Sequence, residues 1–183
     1  MNLPNKLTVL RMVLVPFFVF FALTDIVPMS GLIALIVFAA ASITDALDGH
    51  IARSRNLVTT FGKFLDPLAD KVLVISALVC FVQKGICGAV PVLIIIAREF
   101  MVSGLRLVTA DKGVVVAANI WGKLKTAFTM TAIVFILFTQ AFGITAVWAD
   151  IAAQVLIWIS TALTVISGWT YLDAYKPYIV SDK

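Results

Sequence analysis

Six long apolar segments, separated by short polar stretches, constrain the fold of this chain more than any other feature. Their approximate bounds are residues 7–26, 30–52, 62–82, 89–108, 124–142 and 148–171. Each is close to the ~20 residues with which an α-helix crosses the hydrocarbon core of a bilayer. An ordinary soluble domain is excluded, because 62% of the 183 residues are hydrophobic and only 13% are charged. The sequence therefore predicts an all-α integral membrane protein with six transmembrane helices, formed as a single domain over residues 1–183.

The basic residues lie mostly on one side of this predicted arrangement. Lys84 is the only one of the 14 Lys and Arg residues near a loop on the opposite side. The positive-inside rule then places the basic side and both chain termini in the cytoplasm, and we expect a multi-pass protein of the cell membrane. Anionic lipid and phosphorylated ligands account for the net charge of +4, so no nucleic-acid partner is expected. The residues interpreted as interfacial aromatics are Trp148, Trp169, Tyr171, Tyr175 and Tyr178.

The N-terminal residues 1–11 precede most of the first apolar segment. Their leucines fall on one side of a helix and are Leu3, Leu7 and Leu10. This pattern is typical of a short interfacial helix that leads into the first span. A basic flank that only sets topology fits the pattern equally well. No small-residue cleavage site follows, so we expect the first span to remain in the mature protein.

Carboxylates are concentrated where the second apolar segment ends and the third begins, at Asp45, Asp48, Asp66 and Asp70. An ionised carboxylate in hydrocarbon costs several kcal/mol, so such groups usually face a protein interior and are functional. At about 100° per residue, each pair shares one face of its own helix, and a short polar link makes the two helices antiparallel neighbours. Two divalent cations would offset the repulsion between the acidic faces. Hard oxygen ligands without a nearby His or Cys cluster favour Mg²⁺ or Mn²⁺, and such a site suits phosphoryl transfer.

Two other interpretations of the acids remain open. Salt bridges to Arg53, Lys63 and Lys71 would be purely structural, but three cations leave one of the four acids unpaired. A proton or cation pathway is a second functional interpretation. Acids of a pathway would be distributed through the bilayer, whereas these acids cluster at one depth.

The spacing of these acids resembles the motif of the CDP-alcohol phosphotransferase family, position for position. The matching pattern is Asp45-x2-Asp48-Gly49-x2-Ala52-Arg53-x8-Gly62-x3-Asp66-x3-Asp70. The family consists of integral membrane enzymes that transfer a phosphatidyl or similar group from a CDP-linked donor to an alcohol and release CMP. The resemblance implies that all four aspartates bind two divalent cations and that Asp70 also acts as the general base. It also implies a homodimer.

The resemblance further implies a set of contacts with the donor, CDP-diacylglycerol. The N-terminal stretch of the family lies against the nucleotide, which would place Asn5 and Thr8 near the cytidine. Arg53 offers a planar fork that suits the diphosphate, and Thr59 adds a hydroxyl, as the matching position does in relatives. Gly49 permits either a cytosine ring or a neighbouring helix to approach the backbone closely.

A cationic set lies outside the shared motif, at Arg98, Arg106, Lys123 and Lys125. Arg98 lies deep in its segment, and the adjacent Glu99 points about 100° away, so a local pair alone accounts poorly for the arginine. Several cations in one place suit an acceptor that already carries a phosphate.

The stretch AREFMVSGLR with the later GKLKT resembles the branch of the family that uses glycerol 3-phosphate. CDP-diacylglycerol and glycerol 3-phosphate are therefore the expected substrates. A family member with inositol phosphate or phosphatidylglycerol as the acceptor, a cation-coupled transporter and a non-catalytic membrane scaffold are the alternatives. A scaffold has no need of four acids, and matched interruptions of the spans, typical of transporters, are not seen in the sequence.

Overall fold

The computed structural model describes the backbone of residues 3–24, 26–54, 60–111 and 119–180, and the side chains of residues 5–24, 26–44, 65, 68–110 and 119–176. All regular structure in these ranges is helical. The helices are α1 (Leu3–Leu23), α2 (Ser30–Ser54), α3 (Thr60–Gln83), α4 (Ala89–Asp111), α5 (Ile120–Ala141) and α6 (Val147–Val180). Each helix covers all or most of one of the six apolar segments, so the predicted all-α architecture is confirmed.

The prediction of a separate short helix at the N-terminus is wrong. One continuous helix, α1, begins at Leu3 and ends at Leu23. Pro4 lies in its first turn, where the missing backbone N–H would have no helical partner, so this proline does not interrupt the helix. No other strong helix breaker separates the amphipathic start from the apolar segment, and the two therefore form one helix.

Three helical stretches in the described part of the chain are long and apolar enough to cross a membrane: Asn5–Leu23, Ile120–Ala141 and Val147–Lys176. Ser30–Thr44 is a shorter apolar helix. Charged side chains interrupt the apolar character of α4 at Arg98, Glu99 and Arg106. The helical content and these apolar stretches are those of a membrane protein.

The helices pack as a bundle in which α1 contacts α2 and α3, α5 contacts α2 and α6, and α4 contacts α6. The core is apolar, and its largest fully buried side chains include Phe18, Phe38, Phe81 and Ile133. The rings of Phe18 and Phe38 lie 5.5 Å apart between α1 and α2. Many apolar side chains point outward instead, among them Phe17 and Leu93, which are 55% and 62% exposed. Such a surface suits contact with lipid.

Polar contacts connect the turns at one end of the bundle. This is the end at which α1, α3 and α5 end and α4 and α6 begin. Lys84 Nζ donates to Gln140 Oε1 at 3.0 Å, and Gln154 Nε2 donates to the backbone carbonyl of Ile86. Cys87 is buried in the same region and Cys80 nearby, and both are free. Burial raises the pKa of the Cys87 thiol, which makes it a poor nucleophile. Both cysteines are therefore packing residues.

A close approach between α2 and α5 depends on Gly31. A Cβ atom at this position would lie 3.2 Å from the backbone oxygen of Gln140 and 3.3 Å from the Cα of Ala141. We expect Gly31→Leu to lower the free energy of unfolding by about 1–3 kcal/mol, because a packed backbone has to move. Gly104→Leu is the matched control, since a Cβ there meets nothing within 4 Å. Thermal unfolding in detergent measures both; equal midpoints for the two variants would contradict the close approach.

Candidate active site

A polar cavity of about 670 Å³ opens at the opposite end of the bundle, between α3, α4, α5 and α6. Within the described part of the chain, seven charged side chains line this polar cavity: Asp70, Lys71, Arg98, Glu99, Arg106, Lys123 and Lys125. The structure thus brings together the four cations and the base that the sequence singled out, although they come from three different helices. Among the lining side chains that the structure describes, cations outnumber carboxylates by five to two, a balance that favours an anionic ligand.

Arg98 is a deeply placed cation of the polar cavity, with 9% of its surface exposed. Its Nη1 lies 3.1 Å from Glu99 Oε1, and its Nη2 donates to Ser167 Oγ at 2.5 Å. Its Cζ lies 5.3 Å from the centroid of the Tyr171 ring, within range of a cation–π contact. The expectation that Glu99 points away from Arg98 is therefore wrong for the charged ends of the two side chains, which form a salt bridge. Their Cβ atoms diverge, but both long side chains bend towards the same polar cavity.

Glu99 joins two of the predicted cations. Besides Arg98, Lys125 Nζ donates to Glu99 Oε1, and Lys125 itself is buried on α5. On the neighbouring wall, Lys71 Nζ donates to Ser103 Oγ. Sequence reasoning assigned no binding role to Lys71, Glu99 or Ser103. The spacing of Glu99 and Ser103, one turn apart on α4, could have indicated that the two residues share one face of the helix.

The α6 side of the polar cavity is built around Tyr171, which the sequence analysis placed at the lipid interface. That interpretation is wrong, because Tyr171 is 3% exposed. Its hydroxyl accepts a hydrogen bond from the backbone N–H of Asn119 at 3.0 Å, while Asn119 Nδ2 donates to Thr170 Oγ1 at 2.9 Å. Asn119 also caps α5 by accepting from the Trp121 N–H. The start of α5 is thereby fixed against α6 beside Arg98.

Gly122 leaves space in the polar cavity next to Arg98 and Tyr171 because it has no side chain. A Cβ atom there would lie 3.5 Å from Arg98 Nη2 and 3.5 Å from the Tyr171 hydroxyl. A side chain larger than that of alanine would therefore compete with a ligand for the same space. The glycine of the GKLKT stretch keeps the approach to Arg98 clear.

The four motif acids lie on two helices that contact each other, α2 and α3. The helical backbone puts Asp45 and Asp48 about one turn apart on α2, and likewise Asp66 and Asp70 on α3. Asp70 is exposed at the polar cavity. The predicted side-chain roles that lie outside the described residues are those of Asp45, Asp48, Gly49, Arg53, Thr59 and Asp66.

A divalent cation fits the chemistry of this donor set, which consists of carboxylate oxygens on adjacent helices. Within the described side chains, no group of three or more His, Cys, Asp or Glu residues is found that could hold a metal. Asp70 would therefore need the acids of α2 and Asp66 to complete a coordination shell.

Helix α1 presents a polar face to the interior of the bundle. Asn5, Thr8 and Arg11, spaced three residues apart, are 6%, 0% and 0% exposed, and α1 packs against α2 and α3. The predicted nucleotide contacts Asn5 and Thr8 thus face inward, where a ligand between these helices would meet them. From the sequence, Arg11 was interpreted only as part of a basic N-terminal stretch. Its complete burial was not predicted. The three-residue spacing with Asn5 and Thr8 could have indicated it.

Comparison with known proteins agrees with these observations. The sequence model of the family described as CDP-alcohol phosphatidyltransferase matches residues 1–166. The chain is 44% identical to the CDP-diacylglycerol–glycerol-3-phosphate 3-phosphatidyltransferase of Bacillus subtilis, with 94% of each chain covered. It is 40% identical to the protein of the same name from Rickettsia bellii, with 97% of each chain covered. Identity to the Escherichia coli protein of that name is 36%, with 96% of this chain and 95% of that protein covered. The chain therefore belongs to the CDP-alcohol phosphatidyltransferase family.

Proposed function

We propose that this protein transfers the phosphatidyl group of CDP-diacylglycerol to glycerol 3-phosphate, giving phosphatidylglycerophosphate and CMP. The observation that carries this proposal is the convergence of Arg98, Arg106, Lys123 and Lys125 on the polar cavity that Asp70 also lines. A phosphate-bearing acceptor needs such cations, and its hydroxyl needs a base within reach. Near full-length relatives at 36–44% identity carry the name of this enzyme.

The acceptor is bound through its phosphate. Arg98 is held by Glu99, Ser167 and Tyr171, so its guanidinium is positioned before the ligand arrives. Arg106 and Lys123 line the same polar cavity and complete the cationic surroundings with Lys125. Preorganised charge of this kind costs little reorganisation when the substrate binds.

Asp70 takes the proton from the primary hydroxyl of the bound acceptor. The oxygen then attacks the lipid-side phosphorus of the donor, the bond from that phosphorus to the CMP oxygen breaks, and CMP leaves. The donor is held by Arg53, Thr59 and Gly49 beside the motif acids, with its cytidine at the polar face of α1. Catalysis rests mainly on positioning the hydroxyl against the phosphorus, as in other phosphoryl transfers.

Two divalent cations, Mg²⁺ or Mn²⁺, would be held by Asp45, Asp48, Asp66 and Asp70. When bound, they supply charge stabilisation for the diphosphate and the leaving group. The protein side chains position the acceptor and accept its proton. The acids on α2 and α3 also account for the fixed spacing of the motif, since neighbouring helix turns must present all four carboxylates to one point.

The same proposal includes six transmembrane helices, a homodimer in the cell membrane and a polar cavity that faces the cytoplasm. The homodimer rests on the family resemblance alone. The orientation is supported by the distribution of charge, because the cations of the polar cavity lie where α4 ends and α5 begins, and Lys84 lies at the other end. A soluble acceptor then enters from the cytoplasm while the donor stays in the inner leaflet.

Cysteine labelling tests this orientation. In a Cys80→Ala/Cys87→Ala background, a cysteine at the exposed Lys176 should react with a membrane-impermeant maleimide only when the cytoplasmic face is open. A cysteine at the exposed Thr145 should react in intact cells. The positive-inside rule gives this orientation. Labelling of both positions from the same side would contradict the single membrane crossing that α6 is proposed to make between them, and with it the assigned side of the polar cavity.

A panel of acceptors tests the proposed reaction. Purified protein in detergent is mixed with CDP-diacylglycerol, Mg²⁺ or Mn²⁺, and one acceptor, and CMP release is measured. Glycerol 3-phosphate should be the best acceptor, and glycerol should be poor because the cations would remain unpaired. Faster release with inositol phosphate or phosphatidylglycerol would assign the protein to another branch of the family. Equal rates with glycerol and glycerol 3-phosphate would contradict the proposed acceptor.

A further inference from the structure

A partly buried carboxylate lies among the cations of the polar cavity, and the reaction described above gives it no direct role. The side chain of Glu99 is 16% exposed. Glu99 and Asp70 both line the polar cavity, and both also line a smaller adjoining cavity of about 50 Å³. A carboxylate repels a phosphate, so its presence in a phosphate-binding cavity opposes the binding that the cations favour. If Glu99 served only to pair with the neighbouring cations, it would not need to line both cavities.

The contacts of Glu99 leave part of its hydrogen-bonding capacity unused. Arg98 Nη1 and Lys125 Nζ both contact Oε1. Among the side chains that the structure describes, none donates a hydrogen bond to Oε2. An ionised carboxylate has about four acceptor sites on its two oxygens. Glu99 therefore retains acceptor capacity for a hydroxyl group inside the cavity that it lines.

Glycerol 3-phosphate has one group that the proposed mechanism leaves without a partner. Its phosphate meets the cations, and its primary hydroxyl meets Asp70. Its secondary hydroxyl lies between them in the molecule and loses water on binding, which costs free energy unless a hydrogen bond replaces the water. A carboxylate that is fixed beside the phosphate-binding Arg98 and close to Asp70 can supply that bond.

We infer that Glu99 accepts a hydrogen bond from the secondary hydroxyl of the acceptor and thereby selects a glycerol phosphate over a phosphate ester that lacks this hydroxyl. This inference rests on the function proposed above. The pairs with Arg98 and Lys125 fix the carboxylate in position and keep it ionised next to the phosphate site. A site built to bond a hydroxyl discriminates strongly against an analogue without it.

The test compares two acceptors, glycerol 3-phosphate and 3-hydroxypropyl phosphate, which keeps the phosphate and a primary hydroxyl but lacks the secondary hydroxyl. For the wild-type protein, we expect kcat/KM to favour glycerol 3-phosphate by roughly 10- to 100-fold, the range of one charge-assisted hydrogen bond. Glu99→Ala should reduce this preference at least about fivefold. Glu99→Gln should also reduce it, because its single amide oxygen is needed by Arg98 and Lys125.

The ratio of the two acceptors separates specificity from a structural role. If Glu99 only held Arg98 and Lys125 in place, its loss would lower kcat/KM for both acceptors by the same factor, because both carry the same phosphate. An unchanged ratio in both variants would overturn the inference, and so would a wild-type protein without a preference. Where turnover of a variant is too low, titration calorimetry in detergent gives the same ratio from the two Kd values.

The matched control is Asp173→Asn, which removes an exposed carboxylate of α6 that does not line the polar cavity. This variant should keep the wild-type ratio. A wild-type protein that releases no CMP with glycerol 3-phosphate would instead contradict the proposed function itself, independently of Glu99.

Discussion

Asparagine in place of Asp70 should lower kcat for phosphatidyl transfer by roughly 10²- to 10⁴-fold, the usual contribution of a positioned general base. The amide cannot take the proton from the acceptor hydroxyl and binds a divalent cation more weakly than a carboxylate does. Asp70 is exposed at the polar cavity, so the variant should insert and fold normally.

Asp150→Asn is the control, because Asp150 is an exposed acid in the first turn of α6, at the other end of the bundle. It should retain full CMP release. Asp45→Asn, Asp48→Asn and Asp66→Asn should each abolish transfer in the same assay, and a chelator should reproduce the loss in the wild-type protein until Mg²⁺ or Mn²⁺ is restored. Full turnover of any two of these variants in excess EDTA would refute the role of two metal ions.

Alanine in place of Arg98 should raise the KM for glycerol 3-phosphate by at least about tenfold, and up to about 100-fold. A charge-assisted hydrogen bond contributes roughly 1.5 to 3 kcal/mol, and about 1.4 kcal/mol corresponds to a factor of ten. The change also frees Ser167 and leaves Glu99 with Lys125 as its remaining salt-bridge partner. The KM for CDP-diacylglycerol should change little, because its diphosphate is assigned to the metal ions and Arg53.

Three comparisons sharpen this prediction. Arg98→Lys should restore affinity only in part, because an ammonium cannot contact Glu99, Ser167 and a phosphate with the geometry of a planar guanidinium. Arg106→Ala should raise the same KM, since Arg106 lines the same polar cavity. Lys84→Ala removes a cation that binds Gln140 at the far end and should leave both KM values unchanged. Loss of donor affinity with an unchanged acceptor KM in Arg98→Ala would assign α4 to the nucleotide.

The helices were predictable from the sequence because segment length and hydropathy are local properties. The predicted bounds of the second apolar segment, residues 30–52, differ from those of α2, Ser30–Ser54, by two residues at one end. The set of cations was predictable for a related reason, since helical periodicity placed Arg98 and Arg106 on one sector of α4. Lys123 and Lys125 could be assigned to the same set because neighbouring helices run antiparallel, which places the start of α5 near the end of α4.

The surroundings of those cations were not predictable in the same way, because they depend on contacts between residues far apart in the chain. Arg98 bonds Ser167 across 69 positions, and Asn119 bonds Tyr171 across 52. Tyr171 lies near the end of an apolar helix, where an interfacial position is the common outcome, and only the packing of α5 against α6 buries it. The burial of Arg11 likewise depends on how α1 packs against α2 and α3.

The central claim is that the polar cavity binds the phosphate of the acceptor in front of Asp70, and an experimental structure with glycerol 3-phosphate bound tests it most directly. The phosphate oxygens should lie at hydrogen-bond distance, about 2.7–3.2 Å, from the guanidinium of Arg98 and from at least one further cation of the polar cavity. The primary hydroxyl should point towards Asp70. A phosphate bound at the polar face of α1 beside Asn5 and Thr8, with the polar cavity empty, would contradict the account.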